Sequence, residues 1–443
     1  MTAKVKQILD MNAFSPDSAR TTDPNSLLGR RLNNFGAASV LFYRNPIEMA
    51  GGHGAWLTAK DGTQYLDFYN NVPSVGHTHP KVVEAVSTQV GKLNINTRYL
   101  SGVVDDYLDR LKKTFPDYLD NILMCCTGSE ANDLALRIAM QRSGKRGFIV
   151  TETAYHGNTL AVTHISPAAL KKDPLPDHVV AVPAPFSRIY GQDPGKGFAG
   201  AVKQAVAELE ERGHGCAGLI CDSIFSSDGV ISDPPGFLSE AAAVVKKAGG
   251  LFIADEVQPG FARTGTHMWG FQRHNLSPDL VTMGKPMGNG FPMAGVAAKS
   301  SDVKRFCEHV GYFNTFGGNP VAAAAGQAVL DIIEQEGLME NAHLAGSHAM
   351  AGLKAIRQKH SQISDIRGCG LFIGMDLCVD GDPDKPDPAL ASDLINALKR
   401  RHILIGAAGK YGNTLKLRPP LCLSIKEVDI FMDSLSQSLN QLI

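Results

Sequence analysis

The sequence predicts an α/β fold: a large parallel sheet wrapped by helices, followed by a small αβ C-terminal domain with an antiparallel sheet. Three observations carry this expectation. Apolar strand-like runs alternate with helical stretches through the middle of the chain, the pattern of a parallel sheet with crossover helices. Glycine is plentiful, at 45 residues, which suits many tight turns between strands and helices. The 443 residues also exceed one ordinary core, so one large and one smaller domain are expected.

The elements follow in order. Residues 1–35 are polar and weakly patterned, expected as a short helix and a meandering arm. Strand character begins at Val40, and "WLTAKDGTQYLDF" sets two runs around Asp61-Gly62, a hairpin signal. "HPKVVEAVSTQVGKL" opens a helix at Pro80 with apolar residues at helical spacing. "NILMCC" precedes the helix "SEANDLALRIAMQRS", and "RGFIVTE" and "VVAVPAP" are short strand runs. The helix "FAGAVKQAVAELEER" leads into the strand "GLICDSI", and "GFLSEAAAVVKKAG" into "GLFIADEV". "NPVAAAAGQAVLDIIEQEGLMENAHLAGSHAMAGLKAI" reads as one long helical connector into the C-terminal domain. That domain holds "IRGCGLFIGMDL", a helix near "PALASDLINALKRR", the runs "ILIGAA" and "TLKLRPPL", and a closing helix. The expected divisions are an arm and joining segment over 1–65, a large domain over 66–330 and a small domain over 331–443.

Composition excludes several classes. A formal net charge of -1 provides no basic field for nucleic acid or anionic lipid. No apolar stretch reaches the roughly 18 residues of a membrane span. The N-terminus is polar and mixed rather than a signal peptide. The 8 cysteines form no CxxC pair, so neither a metal site nor a disulfide framework is expected, and a reducing cytosol is the expected home.

Ligands of α/β sheets sit at the carboxyl ends of strands, so those ends carry the chemistry. After "NILMCC" a helix opens at Gly128-Ser129, a phosphate site in type, although Ser129 followed by Glu130 also reads as a plain N-cap. "GLFIADEVQPGF" ends in Asp255 and Glu256. An acid there binds a metal, acts as a base, pairs with a protonated ring nitrogen, or is simply a surface carboxylate. Lys285 lies among apolar residues and glycines in "DLVTMGKPMGNGFPMAG", surroundings that lower a lysine pKa and favour a nucleophilic amine; a snorkelling loop lysine is the bland alternative. Tyr155 and His156 follow the strand "RGFIVTE", where a ring stacks on a flat cofactor or joins the core. In "TLKLRPPL", Lys416 and Arg418 share one strand face, as an anion site or as a charged edge strand.

Together, a Gly-Ser turn, Tyr-His, a strand-end Asp and a later Lys form the constellation of a pyridoxal-phosphate enzyme. The chain resembles the class III aminotransferase family in "TGSEAN", "AYHG", "IADEVQ" with "GF" and "RTG", "MGKPMGNGFP" and "TFGGNP". The resemblance implies fold type I, with a mostly parallel seven-stranded sheet in a large cofactor-binding domain. It implies that Lys285 carries pyridoxal 5'-phosphate as a Schiff base and moves the substrate proton, and that Asp255 pairs with the ring nitrogen. By the same resemblance Gln258 reaches the phenolic oxygen, Val257 and Tyr155 pack on the two ring faces with His156 beside them, and Gly128 and Ser129 hold the phosphate. Thr315 is implied to reach the cofactor of a second subunit, hence a homodimer.

The chain departs from the transaminases of that family at two places. Where many carry an arginine in R-x-x-P-P, this chain has Lys416, with Arg418 following. Where they have E-P-V-Q-G-E-G-G it reads "CDSIFSSDG", with Asp222 for the first glutamate and Ser227 for the second. The ethanolamine-phosphate phospho-lyase branch is similar to the chain in these departures, in "YNNVPSVGHTHP" and in "IRGCGLFIGMDL". That likeness implies phosphate elimination from a small phosphorylated amine, the alternative being an ω-amino acid or amine transaminase. Lys416 and Arg418 are the expected substrate-phosphate cations, with Arg98, Asn71 and His77 as further candidates near the mouth.

Overall fold

The computed structural model describes Met11, Phe14 and residues 23–443. Most of the expected N-terminal arm lies outside the described residues; the helix Leu27–Phe35 falls at its end. The strands are β1 (Met49–His53), β2 (Trp56–Ala59), β3 (Gln64–Asp67), β4 (Asn121–Cys125), β5 (Gly147–Thr151), β6 (Val179–Val182), β7 (Cys216–Cys221) and β8 (Leu251–Asp255). Then follow β9 (Leu280–Met283), β10 (Ala294–Ala298), β11 (Ile363–Cys369), β12 (Phe372–Leu377), β13 (Ile403–Leu404), β14 (Gly406–Ala408) and β15 (Thr414–Leu417).

Seven strands form the large sheet in the order β4-β10-β9-β8-β7-β5-β6. Only β10 is reversed, pairing antiparallel with both β4 and β9; the other pairs are parallel. β5, β7, β8, β9 and β10 are buried throughout, as expected of strands covered on both faces by helices. The helices begin on local signals. Pro80 starts Pro80–Lys92 and Pro194, capped by Asp193, starts Pro194–Glu211. The latter begins earlier than the apolar pattern alone suggests, because the cap and proline extend it.

β2 and β3 form the expected hairpin, with Gly62 at φ 87° and Asp61 Oδ1 accepting from Thr63 N. This N-terminal unit is tied to the C-terminal part of the chain: β13 pairs parallel with β3, Ile403 opposite Leu66. A second four-stranded sheet, β11-β12-β15-β14, is antiparallel. The connector expected as one helix is two, Pro320–Gln335 and Leu338–Arg357, parted where Gly337 adopts φ 61°. A left-handed residue ends the first helix and turns the chain.

The small sheet packs closely on the helix Leu338–Arg357. A Cβ on Gly346, inside Leu338–Arg357, would land on the carbonyl of Gly370 in the β11–β12 turn. Gly346→Ala gains about 1 kcal/mol of helix propensity, but overpacking against backbone costs about 1–3 kcal/mol. The expected net is a lower apparent melting temperature, read by differential scanning calorimetry; a rise would show that the helix shifts freely.

Candidate active site

Four strand ends converge. β4 leads to Thr127 and the helix Gly128–Ser143, β5 to Tyr155 and His156, β8 ends at Asp255, and β9 leads to Gly284 and Lys285. Thr127, not Ser129, caps the helix: its side chain accepts from Glu130 N at 3.1 Å. This corrects the plain-cap reading of Ser129, which lies inside the first turn with its Oγ accepting from Asn158 N at 3.1 Å. Gly128 is enclosed, since a Cβ there would meet Val257 Cγ2 at 3.0 Å, and one on Gly284 would meet Gly128 N at 3.3 Å. The glycine-lined N-terminus of a long helix thus abuts Val257 and the turn before Lys285.

Asp255 is buried and carries three hydrogen bonds. Its Oδ2 faces His156 Nδ1 at 2.7 Å and accepts from Asn132 Nδ2 at 3.0 Å; its Oδ1 accepts from Val257 N at 3.1 Å. Burial pushes the carboxyl up, but the His156 bond and charge, the Val257 amide and Lys285 outweigh it and hold it below its usual range. Asn132 Nδ2 also donates to the His156 carbonyl at 2.7 Å, so one amide fixes both partners.

Lys285 opens the 3₁₀ turn Lys285–Gly288 at φ 26°, a left-handed conformation that lysine rarely adopts. Its pKa is lowered by burial and by Arg418, against the opposing pull of Asp255 and Asp222, which favours a free amine. Tyr155 is partly buried beside His156, and burial raises its phenol.

The cation end lies opposite. β15 runs between β12 and β14, so it is an interior strand, and Lys416 and Arg418 are 3% and 8% exposed. The charged edge strand is therefore ruled out. Lys416 Nζ donates to the Ser226 carbonyl at 3.2 Å and lies 6.0 Å from the Phe372 ring centroid. Its pKa is pushed well down, first by burial and then by Arg418. Arg418 Nη1 donates to Asn71 Oδ1 at 2.9 Å and Gln258 Oε1 at 3.2 Å, and its guanidinium stacks 4.3 Å from the Tyr69 centroid. Asn71 Nδ2 closes the triangle on Gln258 Oε1 at 2.9 Å.

Other expected residues sit elsewhere. His77 Nε2 pairs with Asp67 Oδ2 at 2.8 Å, and Asp67 Oδ1 accepts from Tyr69 N, one step behind the arginine's platform. Arg98 is exposed and stacks 4.4 Å from the Phe313 centroid, with no bond to this cluster. Thr315 is exposed; its neighbour Asn314 donates to Glu130 Oε2 at 3.0 Å, tying the loop to the Gly128 helix. Sequence reasoning gave no role to Asn132, Tyr69 or Asp228. Asn132 was legible, four residues past Gly128 and so on the same helix face. Asp228 was not: its partners Thr151 Oγ1 (2.9 Å) and Thr153 Oγ1 (2.5 Å) come from a distant strand.

An ionised strand-end carboxylate, an amine with lowered proton affinity and a glycine-lined helix N-terminus fit the ring nitrogen, aldehyde and phosphate of pyridoxal phosphate. The fold and site define a fold type I pyridoxal-phosphate-dependent enzyme. The family model for aminotransferase class III matches residues 43–439, and the chain belongs to that family. Among its relatives is ethanolamine-phosphate phospho-lyase homolog 1 of Caenorhabditis elegans, 36% identical, with 99% of each chain covered. Another is the mitochondrial alanine–glyoxylate aminotransferase 2 homolog 2 of Arabidopsis thaliana, 35% identical over 100% of this chain and 94% of the relative. A phospholyase from Arthrobacter in complex with phosphoethanolamine is 41% identical with a TM-score of 0.91, over 94% of this chain and 100% of that one. No helix among the described residues is long and apolar enough to cross a membrane.

Asn132→Ala removes a donor from a buried charge, a loss of about 1.5 kcal/mol or more. Pyridoxal phosphate should then bind about tenfold more weakly to the apoenzyme, followed by absorbance; unchanged affinity would dismiss Asn132. Asp228 is pushed up to about 6 by burial. A raised carboxyl pKa destabilises the folded state once the group ionises. Asp228→Asn should therefore stabilise the protein, by about 3 kcal/mol at most. The gain grows from about pH 4 to pH 6 and is level above; melting temperatures across that range check it.

Proposed function

We propose that the chain is a phospho-lyase that eliminates phosphate from a small phosphorylated amine such as O-phosphoethanolamine, giving acetaldehyde, ammonia and phosphate. The observation that carries this reading is the pair of buried cations, Lys416 and Arg418, held by a carbonyl and two amides rather than by a carboxylate. Both are within electrostatic reach of Lys285. A dianionic phosphate supplies the missing counter-charge and favours the ammonium form of Lys416 against the pull of burial and Arg418.

Pyridoxal phosphate, when bound through Lys285, supplies an electron sink for the amine-bearing carbon. Asp255, kept ionised, is the partner of a protonated ring nitrogen. Gly128 and Ser129 offer the helix N-terminus to the cofactor phosphate. Gln258, held by Asn71 and Arg418, would meet the phenolic oxygen, and Val257 and Tyr155 would pack on the ring. Lys285, as a free amine, removes the proton from the amine-bearing carbon. Lys416 and Arg418 hold the substrate phosphate, which leaves with the electron pair of its C–O bond. The resulting ethenamine takes up water and yields acetaldehyde and ammonia. No oxo acid takes part, so Ser227 in place of a switching glutamate fits this chemistry. The exposed Thr315 loop is the segment we assign to a second subunit of a homodimer, and we assign the enzyme to the cytoplasm.

The holoenzyme should release phosphate and acetaldehyde in equal amounts from O-phosphoethanolamine without an oxo acid. No phosphate release across a panel of amino-phosphates would sink the reading. Lys416→Ala should lower kcat/KM about a hundredfold, near 3 kcal/mol, while the visible band of the Lys285 Schiff base persists. The second reading, an amine:2-oxo acid transaminase, is favoured by the relatives named alanine–glyoxylate aminotransferases. It predicts bleaching of that band by an amine donor alone and its return with an oxo acid.

A further inference from the structure

We propose that Arg367 is a positioning residue that gives Lys416 its grip on the substrate anion, by clamping the loop 222–230 against the face of β15. The proposal rests on the reading of Lys416 as an anion site.

Arg367 lies on β11, in the stretch "IRGCGLFIGMDL", and its side chain is 13% exposed. Its guanidinium forks onto Asp376 of β12, with Nη1 to Oδ2 and Nη2 to Oδ1 both at 2.8 Å. Nη1 also reaches Asp365 Oδ2 at 2.9 Å. The remaining strong bond leaves the sheet: Nη2 donates to the Gly229 carbonyl at 2.6 Å. The ring of Phe186 covers the guanidinium, 5.2 Å from its centroid. Arg367 thus sets its fork on the small sheet and one further N–H bond on a loop that follows β7 of the large one.

That loop is stiff. Asp222 accepts from Ile224 N and Ser226 N, and the amides of Asp228, Gly229 and Val230 all donate to the Phe225 carbonyl. Moving Gly229 therefore moves Ser226, whose carbonyl is the acceptor of Lys416 Nζ. The loop also lies directly on the sheet. A Cβ on Gly374, paired with Lys416 in β12, would sit 2.7 Å from the Gly229 carbonyl, and one on Gly229 would meet Arg367 Nη2 at 3.0 Å. A second link runs through Asp376, which accepts from Thr414 Oγ1 on the strand face that Lys416 shares. The charged groups facing Lys416 are Arg418, Asp222, Lys285 and Asp228.

Two functions follow from this clamp. It fixes the one hydrogen bond that orients the ammonium, and it excludes water from the charge. Lysine is otherwise a mobile, strongly hydrated cation. A dry, fixed ammonium attracts an anion several-fold more strongly than a wet one. Releasing the Gly229 carbonyl admits water and loosens the acceptor, without touching Asp255 or Lys285.

The test titrates inorganic phosphate into the holoenzyme by calorimetry, wild type first. Two variants follow: Arg367→Gln, and Arg367→Gln with Asp376→Asn, which removes both charges so that no carboxylate is left buried alone if the single variant fails to fold. The expected result is phosphate affinity about tenfold weaker, KM for O-phosphoethanolamine raised in parallel, kcat within about twofold, and the visible cofactor band unchanged. Phosphate affinity within twofold of wild type in a folded variant overturns the proposal. So does equal loss of cofactor and phosphate binding, which marks a merely structural residue. If the wild type binds acetate but no phosphate, the phospho-lyase reading fails instead, and Arg367 is judged by the same measurement on acetate. If it binds neither, both ideas fall.

Discussion

A buried carboxylate held ionised is the constraint on which the rest of this structure depends. Burying a lone carboxylate is strongly unfavourable, and the ordinary response is to take up a proton. Asp255 avoids this because three donors from three parts of the chain meet it: the Asn132 amide from the helix after β4, His156 from the loop after β5, and the Val257 amide from its own turn. Each donor is itself held. Asn132 also binds the His156 carbonyl, and His156 N donates to Ser166 Oγ, which in turn donates to the Val162 carbonyl. Loosening any of these elements leaves a buried charge short of a partner, a loss of about 1–3 kcal/mol or more. The geometry of Asp255 is thus tied to the packing of the large sheet.

The other side of the cleft is built on the opposite principle. Asp255 is saturated with donors, whereas Lys416 has, among the described residues, one carbonyl and the face of the Phe372 ring. Asp222 is occupied by backbone amides and Asp228 by two threonine hydroxyls, so neither reaches in to form an ion pair with Lys416. Their charges act across the cleft as a field. Such an arrangement is poor for stability, since desolvation is only partly compensated. It is well suited to an incoming anion, which finds Arg418 already dehydrated, favours the charged form of Lys416 that burial disfavours, and needs no side chain to break an existing salt bridge.

Much of this was legible in the sequence because it rests on local rules. Strand-end positions, a glycine at a helix start and a proline at another follow from short-range geometry, and they located Gly128, Asp255, Lys285 and the parallel sheet. The reversal of β10 was not legible, since its run of small apolar residues has no direction written in it. Nor was the interior place of β15, because a Lys–Leu–Arg alternation has the same pattern at an edge as in the middle of a sheet. The break at Gly337 was hidden by helix-favouring residues on both sides; only its left-handed conformation reveals it. Asp228 escaped because its partner Thr153 is 75 residues away, and the clamp of Arg367 because Gly229 is 138 residues away. No periodicity carries such information.

The lysine at 416, where the resemblance to the transaminases leads one to expect an arginine, differs from it by more than the carrier of the charge. A guanidinium presents a planar fork that matches a carboxylate in two parallel bonds, and it can swing to a glutamate when no carboxylate is present. An ammonium is a point charge with no preferred plane, suited to a three-oxygen phosphate that offers several equivalent acceptors. The arginine at 418 does not restore a swinging fork, because Asn71, Gln258 and the Tyr69 ring fix it. Its bond to Gln258 instead couples the anion end of the cleft to the turn that carries Val257 and Asp255. In the proposed enzyme an anion drawn to Arg418 would pull on Gln258, so substrate charge and cofactor orientation would share one hydrogen-bonded chain.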